Sequence, residues 1–358
     1  MAKPTMVDYV RETPSVIRAQ LAGSWTKPLV DAFLAGSFSR VRIVACGSSK
    51  NAALIARPYL RRALGCEVMI TEPYTFCTYE HELPDDEFCF VISQSGYSTN
   101  ALAALATMRA EGRPAIGVTG DVASDFLNAC DVLVDYGVGE EQVGYVTKGA
   151  SALATFLMLF GADVAKREGH AGCDVREGIE SMLDNFESAA YQTSALIDMR
   201  YKELSSMERV FLVGAGANYG VAAEGALKFA ECLQIPAQAL ELEEYLHGPN
   251  LQLSPDYTIF FIALGERSWA RAREILDATR LVTDRIFTIS DCPEIDADIA
   301  LAQSADELIA PLAALPVLQS IAWQITEDKH LWHKHPLVAR FDAALSGKSE
   351  NYVDKEVL

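Results

Sequence analysis

Two short runs of hydroxyl-bearing residues follow directly on apolar stretches. Ser93-Gln94-Ser95-Gly96-Tyr97-Ser98 comes after Phe88–Ile92, and Gly47-Ser48-Ser49 comes after Val41–Ala45 and Cys46. Helix-forming sequence succeeds each run, from about Lys50 to Leu64 and from about Thr99 to Ala110. The carboxyl end of a buried parallel strand, met by a helix N-terminus, is where ligands bind in open α/β sheets. The unpaired N–H groups and dipole there favour an anion, and serine hydroxyls add donors without bulk. One such turn reads equally well as an ordinary N-cap. Two of them could wrap a dianionic phosphate.

A second constellation is Glu224, Lys228 and Glu231, at i, i+4 and i+7 on one helical face. A solvated salt-bridge stripe is the usual meaning of this spacing. Here the rest of the helix is Ala, Leu and Phe. A carboxylate in apolar surroundings has its pKa pushed upward, which suits a general base near neutrality. His247, followed by Gly248-Pro249, sits at an expected helix end. It could be a cap favoured by the helix dipole or an acid/base imidazole at a cleft edge. Lys355 lies in the tail Asn351–Leu358, where a lysine is ordinarily solvated. His330, His333 and His335 lack the spacing and companion ligands of a metal site, so no metal is expected. The turn Gly214-Ala215-Gly216 is too weak a pattern to predict a dinucleotide, and no cofactor is expected.

The elements that must position these groups alternate between strand and helix. Strands are predicted at Val41–Ala45, Glu67–Thr71, Phe88–Ile92, Pro114–Thr119 and Val132–Asp135, and again at Val210–Val213, Tyr257–Leu264 and Ile286–Ser290. Helices are predicted over Thr147 to Lys166, Val175 to Ser206, Tyr219–Leu233, Trp269–Leu281 and Leu312–Lys329. This alternation implies mostly parallel sheets covered on both faces. The domain plan reads as a helical preface over 1–35, interrupted at Pro14, a first domain over 36–166, a linker and connecting helix over 167–206, a second domain over 207–340 and a tail over 341–358. Overlaying the halves puts Val91–Ser95 on Phe261–Gly265, so the architecture is duplicated, but the hydroxyl-rich turn has become Ala263-Leu264-Gly265. Only the first half is expected to keep a phosphate pocket, with the second contributing other groups to the same site.

The 358 residues are half apolar and 22% charged, ample for a large core. A net charge of −19 argues against nucleic acid and anionic membranes as partners. It does not exclude a small anion held by local dipoles. The eight cysteines form no C-x-x-C pair and lie mostly in apolar runs, which implies reduced thiols and a cytoplasmic protein. No signal peptide and no run of 18 apolar residues is evident.

Taken in order, Tyr9-Val10-Arg11-Glu12-Thr13-Pro14, Cys46-Gly47-Ser48-Ser49, Ser93-Gln94-Ser95-Gly96, Thr147-Lys148, Glu224-Gly225-Ala226-Leu227-Lys228 and His247-Gly248-Pro249 carry a resemblance. The chain resembles tandem sugar isomerase (SIS) domain proteins: the isomerase half of glucosamine-6-phosphate synthase, aminosugar-phosphate deaminases and fructosamine-6-phosphate deglycases. The resemblance implies two tandem doubly wound α/β domains, flavodoxin-like three-layer α/β/α in form, behind a helical preface. It implies that Ser48, Ser49, Ser93, Gln94, Ser95 and Ser98 hold a sugar phosphate. Gly47, Gly96, Thr147, Lys148 and Glu224 would line the rest of the pocket. Glu231 would move a proton between C1 and C2, and His247 would open the sugar ring, reaching in from the other subunit of a homodimer. Lys228 would assist, and Lys355 would form or stabilise a Schiff base with a ketose. Tyr97 stands where the synthase usually has an acid, Val143–Val146 departs from its small-residue version, and the tail aligns only with a one-residue shift. The synthase's glutaminase half has no counterpart here, so an amino-sugar or fructosamine phosphate isomerase of the deaminase or deglycase kind is expected. A plain phosphosugar isomerase and a non-catalytic sugar-phosphate sensor are the alternatives.

Overall fold

The computed structural model describes residues 3–142, 144–170, 175–333, 335–345 and 347–353. The chain divides into two units. One comprises residues 1–4, 15–174 and 334–358, and the other residues 5–14 and 175–333. The C-terminal segment thus groups with the first unit, including residues 334–340, which the sequence reading assigns to the second domain.

The first helix, α1 (Met6–Ala22), continues through Pro14, where the sequence suggested an interruption. Residues 6–14 of α1 belong to the second unit and residues 15–22 to the first, which then holds α2 (Lys27–Leu34), β1 (Arg40–Val44), α3 (Gly47–Leu64), β2 (Glu67–Thr71), α4 (Pro73–Tyr79) and β3 (Glu87–Ile92). Then come α5 (Thr99–Ala110), β4 (Ile116–Thr119), α6 (Phe126–Ala129), β5 (Val132–Asp135) and α7 (Lys148–Arg167). The strands form one parallel sheet in the order β2-β1-β3-β4-β5. Burial on both faces explains why these strands read as apolar runs rather than alternating patterns: every residue of β3 and β4 is buried.

The apolar α7 is long enough to cross a membrane, but 89% of its most apolar window is buried inside the protein. It packs against α3 so closely that a Cβ on Gly161 would press on Leu60 and Ala63. Phe33, Phe88, Phe90 and Phe160 form an aromatic cluster in the same unit.

The second unit holds α8 (Arg176–Ser205), β6 (Val210–Val213), α9 (Ala217–Lys228), a π-turn at Phe229–Leu233, β7 (Ala237–Leu240) and β8 (Thr258–Ala263). It ends with α10 (Glu266–Thr279), β9 (Ile286–Ser290), β10 (Ile299–Ala300) and α11 (Leu315–Asp328). Its parallel order, β10-β9-β8-β6-β7, is the first unit's order repeated. The registers agree as well: Val44 lies opposite Val91, and Val213 opposite Phe261. The chain is therefore two doubly wound α/β units, as the sequence implied. A last helix, α12 (Pro336–Ala344), was not foreseen.

One charge cluster lies inside the first unit's sheet. Arg42 on β1 pairs with Glu87 on β3, and its guanidinium also donates to Glu80 at 2.8 Å. The Arg42 and Glu87 side chains are 9% and 1% exposed, so neither has water as a substitute partner. Removing one member of a buried pair typically costs about 3–5 kcal/mol. Glu87→Ala is therefore expected to lower the urea midpoint by an amount equivalent to about 3 kcal/mol. Retention of the wild-type midpoint would contradict this role for the pair.

Candidate active site

In the first unit, β1 and β3 are neighbours from which the chain departs toward opposite edges of the sheet. The turns after them therefore meet at the topological switch point, where such sheets bind ligands. Ser48 and Ser49 lie in the first turn of α3 behind Gly47, whose φ of +58° suits glycine. Ser93, Gln94, Ser95 and Ser98 span the step from β3 to α5. Asn100, in the first turn of α5, donates to the Cys46 thiol at 3.7 Å and ties the two turns together. Gly96 has φ +67°, and a Cβ there would overlap the Ser124 hydroxyl, so this turn tolerates nothing larger.

Gln94 is held from both ends. Its carbonyl accepts from Gly120 N–H at 3.0 Å and from the Thr119 hydroxyl at 3.2 Å. Its side-chain amide donates to Glu141 at 2.7 Å. The same Glu141 carboxylate accepts from the N–H groups of Thr147 (2.8 Å), Lys148 (2.9 Å) and Gly149 (3.3 Å) at the start of α7. A Cβ on Gly149 would overlap the Gln94 amide, so that glycine lets the turn and helix approach. Burial raises the Glu141 carboxyl above its ordinary value, opposed by these four hydrogen bonds. Thr147 and Lys148 are fully buried in this arrangement. Glu141 has no motif that reveals it in the sequence.

The tail supplies another unforeseen group. Lys348 Nζ donates to the Ser95 hydroxyl at 2.7 Å and to the Ser98 hydroxyl at 3.3 Å. Lys355, the lysine chosen from the sequence, lies outside the described residues. Tyr97, in place of the synthase's acid, stacks edge-on against Tyr352 of the tail at 5.6 Å.

In the second unit, Lys228 lies between two carboxylates, 3.5 Å from Glu224 and 2.5 Å from Glu231. The Lys228 and Glu224 side chains are wholly buried, while Glu231 is 29% exposed. Helix α9 gives way to the π-turn immediately after Lys228, so Glu231 sits on the irregular segment. Such π-turns concentrate at functional sites. Burial alone would lower the Lys228 ammonium, but Glu224 and Glu231 outweigh it and hold it above the ordinary lysine value. The three groups thus share one face, but Glu231 is ion-paired rather than isolated among apolar side chains. Burial pushes the adjacent Cys232 thiol up to about 12.

His247 follows a 3-10 turn at Glu244–Leu246 rather than a full helix. Its side chain is exposed and faces the charge of Glu243, itself paired with Arg271. Among the described residues no hydrogen bond or ion pair joins it to Lys228 or Glu231. No group of three metal-ligating side chains occurs among the described residues, the three C-terminal histidines included.

Where the first unit has its serine turn, the second has Leu264-Gly265 at the start of α10. There the Asp291 carboxylate accepts from Gly265 N–H at 3.0 Å and from the Trp269 indole at 2.8 Å. The helix start is filled by an internal anion.

A family model described as SIS domain matches residues 36–162 and 203–294. Over 346 residues the chain is 25% identical to glutamine–fructose-6-phosphate aminotransferase (isomerizing) of Gloeobacter violaceus, covering 91% of this chain and 56% of that protein. It thus spans little more than half that relative's length. A solved structure provisionally described as a phosphosugar isomerase of Clostridium difficile 630 matches with a TM-score of 0.84 at 24% identity, over 98% of this chain and 100% of the other. Glucosamine-6-phosphate deaminase of Thermotoga maritima matches with a TM-score of 0.68 at 21% identity, over 89% and 95%.

Two expectations follow from the geometry. Lys228→Met strands the buried Glu224 and should cost about 3–5 kcal/mol at neutral pH, measured by denaturant unfolding. In the wild-type protein, a lysine raised above its ordinary value of 10.5 contributes stability that is complete below that pH and lost only as pH climbs beyond it. The deficit of Lys228→Met should therefore not shrink from pH 7 to 9, and it grows with pH wherever the stranded Glu224 carboxyl, raised by burial, ionises. A deficit that vanishes within that range would contradict the arrangement. Glu141→Gln replaces an acceptor of four hydrogen bonds with a group that also brings N–H donors. Titration with inorganic phosphate should show affinity reduced about 5- to 20-fold, equivalent to one or two lost hydrogen bonds. Unchanged affinity would mean that Gln94 is positioned without Glu141.

Proposed function

Since the chain belongs to the SIS domain family, we propose that it is a sugar-phosphate isomerase acting on an amino-sugar or fructosamine phosphate. Imine hydrolysis then releases ammonia or an amine. The observation that carries this reading is Glu231: a partly exposed carboxylate on a π-turn, held at 2.5 Å by the buried Lys228. The likeness to a glucosamine-6-phosphate deaminase supports the nitrogen chemistry.

In this mechanism the serine turns of the first unit anchor the phosphate. His247 transfers the proton that opens the sugar ring. Glu231 takes the proton from the carbon next to the carbonyl or imine, and the electron pair moves to form an enediol or enolamine. The same carboxyl returns the proton to the neighbouring carbon, completing the aldose–ketose shift. Water adds to the imine, and the C–N bond breaks as the amine leaves. Lys228 holds the Glu231 carboxylate in place throughout. Lys355 serves as the Schiff-base lysine for ketose substrates.

The reading extends to a homodimer in which the exposed His247 serves the partner subunit's substrate. The seven described cysteines are all free thiols, which supports a reducing, cytoplasmic setting.

The test is proton exchange in D₂O with glucosamine 6-phosphate and fructose 6-phosphate, followed by NMR at C1 and C2 with a parallel ammonia assay. Exchange with ammonia release is the expected result. Exchange without nitrogen loss would leave a plain isomerase, and binding without exchange would leave a sensor. Glu231→Gln should lower turnover by about 10²- to 10⁴-fold while phosphate affinity stays within threefold. Undiminished turnover in that variant would overturn the assignment of the base.

A further inference from the structure

Residues 347–352 form a strap across the start of α5. Thr99 N–H donates to the Gly347 carbonyl at 3.1 Å, and Ser349 N–H donates to the Tyr97 carbonyl at 2.9 Å. Ser98 and Lys348 form an antiparallel bridge. Asn351 donates to Asp125 at 2.9 Å, and Tyr352 packs edge-on against Tyr97. Backbone bonds on either side of Lys348 therefore fix where its side chain can go. The ammonium is directed onto the Ser95 and Ser98 hydroxyls, with the Tyr352 ring centroid 5.2 Å away.

The chemistry of this contact has a direction. An ammonium only donates, so the serine oxygens accept from it. Ser95 Oγ also accepts from Tyr97 N–H at 3.4 Å, leaving its own proton to donate elsewhere. The turn thus presents hydroxyl protons beside a fixed positive charge, which is complementary to a dianion. Burial lowers the Lys348 ammonium from its ordinary value, and a nearby anion would oppose that shift.

We propose that Lys348 is a specificity-determining anchor: its ammonium binds the substrate's phosphate at the Ser95–Ser98 turn and separates phosphorylated sugars from their unphosphorylated counterparts. The proposal rests on the reading that this turn holds a sugar phosphate. It gives Lys348 a role in binding and none in bond making.

The test uses the full chain and inorganic phosphate as probe, with dissociation constants measured by calorimetry for wild type, Lys348→Met and Lys348→Arg. Loss of one charge-assisted hydrogen-bonding partner predicts affinity about 10- to 100-fold weaker for Lys348→Met, with Lys348→Arg recovering most of it. Equal thermal melting curves would show that the strap remains docked. Phosphate binding to Lys348→Met that matches or exceeds wild type would overturn the proposal, because the ammonium would then be competing with the anion. Failure of the wild type to bind phosphate would overturn it too. A borohydride-trapped adduct of fructose 6-phosphate on Lys348 would also overturn it, by making the residue a catalytic one. The predicted affinity loss in a protein that turns over no sugar phosphate would uphold the anchor and remove the isomerase reading alone.

Discussion

Every helix that follows a parallel strand here begins with N–H groups that have no partner within the helix. The fold depends on what accepts from them. Helix α7 is met by the Glu141 carboxylate and α10 by Asp291, each delivered from elsewhere in its own unit. At α5 the acceptors are different: the Gly347 carbonyl takes one N–H, and serine hydroxyls with a lysine ammonium surround the rest of the turn. Two starts are closed by the protein's own anions, whereas α5 is dressed with donors and a cation. In a chain with a net charge of −19, this contrast supports the proposed phosphate site at α5.

The second unit shows the complementary solution for charge inside a core. Lys228 is buried because two carboxylates accompany it, and Glu224 is buried because Lys228 does. Only Glu231 keeps access to solvent, and it does so where the α-helix loosens into a π-turn. The ladder of the helix is interrupted at the residue that must both reach outward and stay tethered. That arrangement differs from an isolated carboxylate in an apolar pocket, because placement here comes from a partner rather than from exclusion of water.

Much of this was legible in the sequence because the signals were local. Buried parallel strands announce themselves as apolar runs, and β6 and β9 have the predicted bounds. Helix α5 begins at Thr99, directly after its serine turn. The spacing of Glu224, Lys228 and Glu231 reads correctly as one face. The elements missed are those whose cause is tertiary. Strand β7 is short and half exposed, β10 has two residues, and α4 and α12 are only 7 and 9 residues long. Pro14 does not break α1, although proline ordinarily disfavours a helix interior. Asp291 and Lys348 are distant in sequence from what they bind, and Glu141 reaches back across an irregular loop to Thr147–Gly149 and out to Gln94, so no helix or strand spacing could single them out.

The first unit is assembled from discontinuous stretches of chain: residues 15–174 form its body, and the strap returns from beyond the second unit. This has a consequence for biosynthesis. The serine turns leave the ribosome long before Lys348, and at ~5–20 residues per second the delay is on the order of tens of seconds. During that interval the nascent first unit has its turns without its cation. The strap that carries the proposed anchor therefore joins the first unit only after residues 175–333 have been made.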